Sequence, residues 1–241
     1  MSNPPNYYNM GIAFGKSARV DFKPEEFENL IENKGYRVLW EQAMYCTCYY
    51  DPLTDQYDGQ PNYNCPHCRG VGFTYLEPQE IKVVASSISN PVEQPQIGLH
   101  ELGSAYVSSR AKHIIGMRDR FTFLDFVIRY SQIIQLSGED EDSLKYSPTE
   151  LIAVRTQSGI FKPGEDCILT KKGIKWLKTP GHEGEVVSVL YKGLPRYIAL
   201  GPIHELRGTY VQKGARGLEA FARLPQQFQV KREDLLDQNA L

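Results

Sequence analysis

Four cysteines in two close pairs carry the clearest chemistry in this sequence. Cys46-Thr-Cys48 is followed, after sixteen further residues, by Cys65-Pro-His-Cys68. Two close pairs separated by such a loop can bring four thiolates to one tetrahedral ion. Zinc accepts four sulfurs at about 2.3 Å and needs no redox chemistry. The spacing therefore predicts a zinc site formed by Cys46, Cys48, Cys65 and Cys68.

The residues around the cysteines suit a metal-bound hairpin. Gly70 and Gly72 follow the second pair, and glycine tolerates the positive φ that lets a chain curl back so that its amides point at the sulfurs. The sixteen residues between the pairs are rich in Pro, Asp, Asn and Gly, which favours a turn-forming tip. His67 is an alternative ligand that could replace one sulfur, but it points away from the metal if both neighbouring cysteines bind.

Other interpretations of the cysteines remain open. Zinc ribbons more often use two Cys-x2-Cys pairs, whereas one residue separates the first pair here. The alternatives are two disulfides, four unreacted thiols, or an iron–sulfur cluster. Four cysteines would close the coordination shell of zinc and leave no position for a reactive water, so we expect a structural metal rather than a catalytic one.

Nucleophilic catalysis finds little support. Cys167 lies in a strand-like stretch, DCILT, where a buried small hydrophobic residue is the simpler interpretation. The chain has no Gly-x-Ser-x-Gly elbow, and its histidines do not combine with an acid and a nucleophile in any pattern. We expect a protein that is not an enzyme.

The amino-acid composition excludes several further classes of function. In 241 residues, 27 basic and 29 acidic side chains give a net charge of −2, which argues against a polybasic DNA-binding protein. No apolar run approaches the roughly 20 residues that cross a bilayer, and the N-terminal stretch does not resemble a signal peptide. We expect no membrane association and synthesis in a reducing cytoplasm.

Two basic stretches could contact phosphates if they lined a channel. Solvated strand faces are the default interpretation of both, and contact with DNA would lack sequence preference. The residues concerned are Arg110, Lys112, Arg118, Arg120, Lys171, Lys172, Lys175 and Lys178.

The elements that must position these residues are mostly short strands. Phe27, Leu30 and Ile31 recur at helical spacing and predict a helix over 24–34. Residues 36–45 alternate as a strand that runs into Cys46. Ten further strands are predicted, at 81–88, 104–109, 120–136, 151–157, 166–170, 174–177, 185–191, 196–201, 205–211 and 228–233.

No helices separate the predicted strands, so the pattern favours a mainly β fold, an antiparallel barrel or sandwich with an N-terminal helix and an inserted zinc-ribbon-like hairpin. The expected organisation is an arm and helix at 1–35, the cysteine hairpin at 36–78, and a β-barrel domain with an extended tail at 79–241. The acidic stretch 138–142 is interpreted as a solvated loop tip, and 215–225 is left open between a helical turn and a loop.

Two parts of the chain resemble tailed-bacteriophage virion proteins. The stretch YRVLWEQAMYCTCYYDPLTDQYDGQPNYNCPHCRGVGF resembles a cysteine hairpin with an Asp-Pro-x-Thr turn near the N-terminus of such proteins. VVSVLYKGLPRYIALGPIHELRG and LPQQFQVKREDLL resemble the end of neck proteins of the head-closure or stopper type. The second resemblance includes Tyr191, Tyr197, a turn with Pro202, His204, Glu205 and Arg207, and a closing strand with Leu224, Pro225 and Gln226.

The resemblance, over residues 36–76 and 184–236, implies a structural subunit of a head-to-tail connector. Several copies would form a ring that joins the portal or adaptor to the tail and helps to retain packaged DNA, so the expected location is the virion neck after synthesis in the host cytoplasm. Two alternatives stay open: a zinc-ribbon nucleic-acid-binding protein, and a tail-completion or baseplate subunit.

Overall fold

A computed structural model describes residues 24–51, 56–57, 61–87, 103–157, 159–202, 208–213 and 218–236. The single α-helix of this part of the chain, α1, spans Pro24–Lys34. Pro24 suits the first turn of a helix, where its missing N–H costs nothing, and Glu25 and Glu26 lie next to the positive end of the helix dipole. The predicted helix at 24–34 is confirmed.

Short strands make up most of the described residues. In chain order they are β1 Tyr36–Glu41, β2 Ala43–Tyr45, β3 Tyr50–Asp51, β4 Gln56–Tyr57, β5 Phe73–Tyr75, β6 Gln79–Ser87, β7 Ser104–Ser109, β8 Arg120–Phe123, β9 Ile128–Gln135, β10 Glu141–Ser143, β11 Pro148–Arg155, β12 Ile160–Phe161, β13 Cys167–Leu169, β14 Gly173–Trp176, β15 Val186–Gly193, β16 Arg196–Pro202, β17 Gly208–Lys213, β18 Leu218–Arg223 and β19 Gln227–Arg232.

Six antiparallel strands close into a barrel in the order β1-β6-β7-β19-β16-β8. Closure leaves no free strand edge in this sheet. Alternate residues of each strand point inwards, as in β1, where Val38 and Trp40 are buried. The barrel core is aromatic and β-branched, and its fully buried members include Val83, Phe121 and Phe228.

A second β unit is inserted between β8 and β16. It consists of a four-stranded sheet, β12-β11-β15-β9, and a three-stranded sheet, β10-β14-β13. Both sheets contribute to one separate hydrophobic cluster that includes Tyr130, Trp176 and Tyr191. The remaining pairs, β2-β5, β3-β4 and β17-β18, are two-stranded ribbons.

The prediction of one continuous strand at 120–136 is wrong. β8 pairs within the barrel, whereas β9 pairs with β15 in the inserted unit. The chain must break between them because one strand cannot belong to two separate cores. A run of hydrophobic residues hides this boundary, since Leu124, Phe126 and Val127 continue the apolar pattern between the two strands.

Helix α1 lies along the barrel wall and packs on β6. Ile31 is fully buried. Near the start of the helix, the Glu28 carboxylate accepts hydrogen bonds from Arg110 Nε (2.5 Å) and from the backbone N–H of Ala111 (2.6 Å), just beyond the end of β7. The helix then leads through Gly35 into β1.

The predicted fold class is confirmed: the protein is mainly β, with an N-terminal helix and a closed antiparallel barrel. The division at 1–35, 36–78 and 79–241 stays a prediction, but β1, which it groups with the cysteine hairpin, pairs with β6 and β8 as a barrel strand. Residues 215–225, left open between a helical turn and a loop, include strand β18 instead. The acidic stretch is exposed at 138–141, as predicted, but Asp142 is buried in strand β10.

Candidate metal centre

The four predicted cysteines meet at one point. Their Sγ atoms all lie within 4.8 Å of one another. Cys46 Sγ is 3.7 Å from Cys65 Sγ, and Cys48 Sγ is 3.5 Å from Cys68 Sγ. The corners of a tetrahedron drawn about 2.3 Å from its centre are about 3.8 Å apart, so these spacings fit a four-sulfur metal site.

All four cysteines are free thiols in this structure. A disulfide would hold its sulfurs at about 2.05 Å, well short of the separations between these atoms. The four cysteines can therefore bind a metal ion, as the sequence predicted. His67 is exposed and contributes no ligand atom to the cluster.

The backbone after Cys65 curls around the cluster. Arg69, Gly70 and Gly72 have φ values of 52°, 82° and 86°, so both glycines adopt the positive φ that the sequence predicted. The N–H of Arg69 donates to the carbonyl of Cys65 at 2.9 Å. The N–H of Cys46 donates to the carbonyl of Gly72 at 2.8 Å, which ties the two halves of the hairpin together.

The environments of the thiols differ. The backbone N–H groups of Cys68 and then His67 donate towards Cys65 and lower the pKa of its thiol to about 6. Burial raises the pKa of Cys48 to about 12. Amides aimed at a sulfur stabilise the thiolate, which is the form that binds a metal. A cation at the centre would in turn stabilise the other three thiolates.

The hairpin has little core besides its sulfurs. In the described part of the stretch from 43 to 75, the buried residues are Cys46, Cys65, Cys68 and Gly72. The aromatic side chains Tyr45 and Tyr63 are 68% and 81% exposed. So small an apolar core cannot stabilise a separate hairpin, and a metal bound by four cysteines would supply that stability instead.

Arg120 anchors the hairpin to the barrel. Its guanidinium lies 3.9 Å from the centre of the Tyr75 ring in β5. It also donates two hydrogen bonds to the Glu41 carboxylate, at 2.6 and 2.7 Å. Both charged side chains are largely buried, so this bidentate pair holds a fixed geometry. The Ala43 N–H adds a 2.8 Å bond to Asp119 beside the barrel.

A cleft of about 370 Å³ lies where the hairpin meets the barrel. Its walls come from residues between His67 and Val71 and from β5, with Arg120 and Ile198 on the barrel side. Glu233 also lines it and forms ion pairs with Arg196 (3.4 Å) and Lys145 (3.5 Å). The cleft therefore carries both signs of charge.

The structure does not bring the predicted basic residues into one surface. Arg110, Arg120 and Lys178 are ion-paired with Glu28, Glu41 and Asp166. Arg118 packs its guanidinium against Phe73 at 5.6 Å. The other four are exposed: Lys112 near the barrel, and Lys171, Lys172 and Lys175 on the inserted unit. Their predicted role at a DNA channel or an interface stays a prediction.

Candidate nucleophiles and bases remain dispersed. Cys167 is fully buried in the core of the inserted unit, as predicted. His113 packs edge-on against Trp40 at 5.7 Å, and burial lowers its pKa. His182 lies on the inserted unit. His100 and His204 fall outside the described residues, as do Glu205 and Arg207 of the turn in the phage resemblance.

Two buried aspartates escaped the sequence analysis. Asp119 and Asp142 are 3% and 6% exposed, and each accepts a hydrogen bond from a tryptophan. The sequence contains one indication of such residues: it has two tryptophans, and a buried indole N–H group needs a hydrogen-bond acceptor. The sequence does not say which of the many carboxylates provides them.

No protein-family model matches this chain, and comparison with curated protein sequences gives no match. Within the described residues, no helix has both the length and the apolar character required to cross a membrane.

Proposed function

We propose that this protein is a structural subunit of the head-to-tail connector of a tailed bacteriophage, with a zinc-bound hairpin as a rigid projection from its barrel. Several copies form a ring in the virion neck that joins the portal or adaptor to the tail. The chain works through its surfaces and catalyses no reaction.

The observation that carries the proposal is the fixed attachment of the cysteine hairpin to a closed barrel. The four sulfurs lie within 4.8 Å of one another, and Arg120 links Tyr75 of the hairpin to Glu41 of the barrel. In a head-to-tail ring each subunit uses two different surfaces, and a projection held in a fixed position can supply one of them. The exposed Tyr45 and Tyr63 give this projection an apolar surface for a neighbour.

The two stretches that resemble tailed-bacteriophage virion proteins contribute to this framework. The first stretch, 36–76, contains β1 and the whole hairpin. The second, 184–236, contains β15, β16 and β19, and the last two are adjacent strands of the barrel. Leu224, Pro225 and Gln226 are buried directly before β19. The similar segments thus fall mainly on the barrel and the hairpin, and the inserted unit lies largely outside them.

Zinc is the metal that fits this donor set best. Four thiolates favour zinc or iron–sulfur chemistry, and a single tetrahedral centre with sulfur spacings near 3.7 Å suits one zinc ion. The metal would be structural, since the four cysteines fill its coordination shell. We expect one zinc ion per chain in protein purified without chelators, measured by elemental analysis.

Electron cryomicroscopy of particles that contain this protein tests the neck assignment. We expect a ring of copies between the portal and the tail, with density for the barrel and the projecting hairpin. Mass spectrometry of purified particles should detect the chain in mature virions. Its absence from mature particles, or its location in the baseplate, would overturn the assignment.

A nucleic-acid-binding role predicts a different result. Binding through phosphates weakens steeply with salt, so a gel shift at low and moderate salt distinguishes it. The exposed Lys171, Lys172 and Lys175 are the residues to replace with alanine in that assay. We expect no shift that depends on these three lysines at moderate salt.

A further inference from the structure

One end of the barrel opens into an apolar, aromatic mouth. Five of the six barrel strands, or the loops that adjoin them, contribute to a cavity of about 370 Å³. Tyr36 meets Phe126 edge-on at 4.8 Å, and Phe123 contacts both Phe126 (6.1 Å) and Tyr197 (5.4 Å). Tyr36 and Phe126 remain 38% and 42% exposed although they pack together.

The chemistry of the mouth favours an uncharged peptide. The residues that line it carry no charged side chain. The cavity lies at the small end of the roughly 300–1,000 Å³ that proteins use for ligands, so it suits a few side chains rather than a folded domain. The buried hydroxyl of Ser104 at the mouth has no hydrogen-bond partner in the structure. An extended peptide offers backbone N–H and C=O groups that could satisfy it.

The chain itself contains a matching segment. Residues 2–15 carry no charged side chain and include Tyr7, Tyr8 and Phe14 among small and apolar residues. The other long stretch outside the described residues, 88–102, carries Glu93 and Glu101 and contains no Phe, Tyr or Trp. An uncharged segment with aromatic side chains is complementary to an uncharged aromatic cavity.

The direction of α1 places its first turn away from the mouth of its own chain. Glu28, near the start of the helix, bonds to Ala111, beyond the last residue of β7. Ser104, at the first residue of β7, lines the mouth. The six residues of β7 span about 17 Å. Helix α1 thus begins near the end of the barrel opposite the mouth.

We propose that the N-terminal arm of one copy inserts its segment 7–14 into the barrel mouth of a second copy. Such a contact is head-to-tail, because the arm of one copy meets a different surface of the next, and contacts of this kind close into rings when the rotation allows. The inference rests on the mouth and the arm, and it holds for any self-assembling role of the protein.

Photocrosslinking of the full chain tests the proposal. Phe14 is replaced by the photoreactive p-benzoylphenylalanine, and the protein is irradiated over a range of concentrations. We expect covalent dimers in which the crosslink joins the arm to the tryptic peptide Phe121–Arg129, which contains Phe123, Phe126 and Ile128 of the mouth. In the same protein, Phe126→Ser should lower the dimer yield roughly tenfold, because it removes an aromatic wall of the cavity.

Val127→Ser is the matched control. Val127 is 51% exposed and adjacent to Phe126 but does not line the cavity, so the dimer yield should not change. Three results would overturn the proposal: a crosslink to Phe121–Arg129 within one chain, dimers joined elsewhere, or no dimer at the highest soluble concentration. The presence or absence of the protein in the virion neck is a separate result and leaves this outcome unaffected.

Discussion

Trp40 donates its indole N–H to the buried carboxylate of Asp119 at 2.7 Å. The same carboxylate accepts the backbone N–H groups of Ala43 and Gly116, both at 2.8 Å. Asp119 thus joins the end of β1, the first residue of the hairpin strand β2 and the loop before β8. One buried side chain fixes the junction from which the metal centre projects.

The inserted unit repeats this arrangement with its own pair. Trp176 donates its indole N–H to Asp142 at 2.8 Å, and Asp142 also accepts the N–H of Ser137 at 2.9 Å. The fluorescence of Trp40 therefore depends on the barrel core, and that of Trp176 depends on the core of the inserted unit. A variant with Trp176→Phe leaves Trp40 as the only indole, so its fluorescence follows the barrel alone.

Replacement of a cysteine ligand should unfold the hairpin and spare the barrel. We expect Cys65→Ser to abolish stoichiometric metal binding and to expose the described backbone of 43–75 to hydrogen exchange, because sulfur and metal replace a core there. Peptides from β7 and β19 should keep their protection. Hydrogen exchange followed by mass spectrometry measures both effects.

Cys167→Ala is the control for that experiment. Cys167 is buried in the inserted unit and is not part of the cluster, so the metal content should stay at the wild-type level. Loss of metal in both variants, or loss of barrel protection in Cys65→Ser, would contradict a local structural role for the site.

Removal of the Asp119 carboxylate should destabilise the barrel. In the Trp176→Phe background, we expect Asp119→Ala to lower the free energy of unfolding by about 3 kcal/mol, because three donors lose their acceptor and at least one of them is buried. Urea unfolding followed by Trp40 fluorescence measures the change. Asp125→Ala, which removes a more exposed carboxylate paired with Arg37, should lower the free energy of unfolding by less.

The stability of the barrel should depend on the ionisation of Asp119. Burial raises the pKa of this carboxyl above its unfolded value, and the donated hydrogen bonds only partly oppose that shift. Between the unfolded and folded pKa values the native state binds more protons, so the free energy of unfolding falls as pH rises through this window. The free energy of unfolding of the wild type should exceed that of Asp119→Asn, and this difference should decrease as pH rises above about 4.

Urea unfolding of both proteins at a series of pH values checks this sign, again in the Trp176→Phe background. Other titrating groups are common to the two proteins, and their contributions largely cancel in the difference. If the difference in free energy of unfolding instead increases with pH, the three donated hydrogen bonds hold the pKa of Asp119 below its unfolded value.

Loss of the bidentate Arg120 pair should loosen the hairpin. Lysine keeps the charge but cannot donate two parallel hydrogen bonds to Glu41 or stack its head group on Tyr75 in the same way. We expect Arg120→Lys to cost about 1–2 kcal/mol of barrel stability and to speed hydrogen exchange in β5. Arg37→Lys, at the exposed pair with Asp125, should leave exchange in β5 unchanged.

The sequence alone determined the local features of this protein. Proline and two glutamates followed by Phe27, Leu30 and Ile31 predicted α1 with its observed bounds, because these signals act within a few residues. The two cysteine pairs predicted one cluster for the same reason: only sixteen residues separate them, and Gly70 and Gly72 after the second pair have the positive φ that lets the chain curl back. The alternation of apolar residues predicted a mainly β fold.

Only the tertiary structure decided which strands share a sheet. The strand-like sequence from Arg120 to Leu136 does not show that barrel strand β8 ends at Phe123 and that β9 of the inserted unit begins at Ile128. Asp142 looked like part of a solvated acidic loop, yet it is buried because Trp176, 34 residues away, brings a donor to it. Pairings between residues far apart in sequence depend on how the whole chain packs, so local sequence patterns do not predict them.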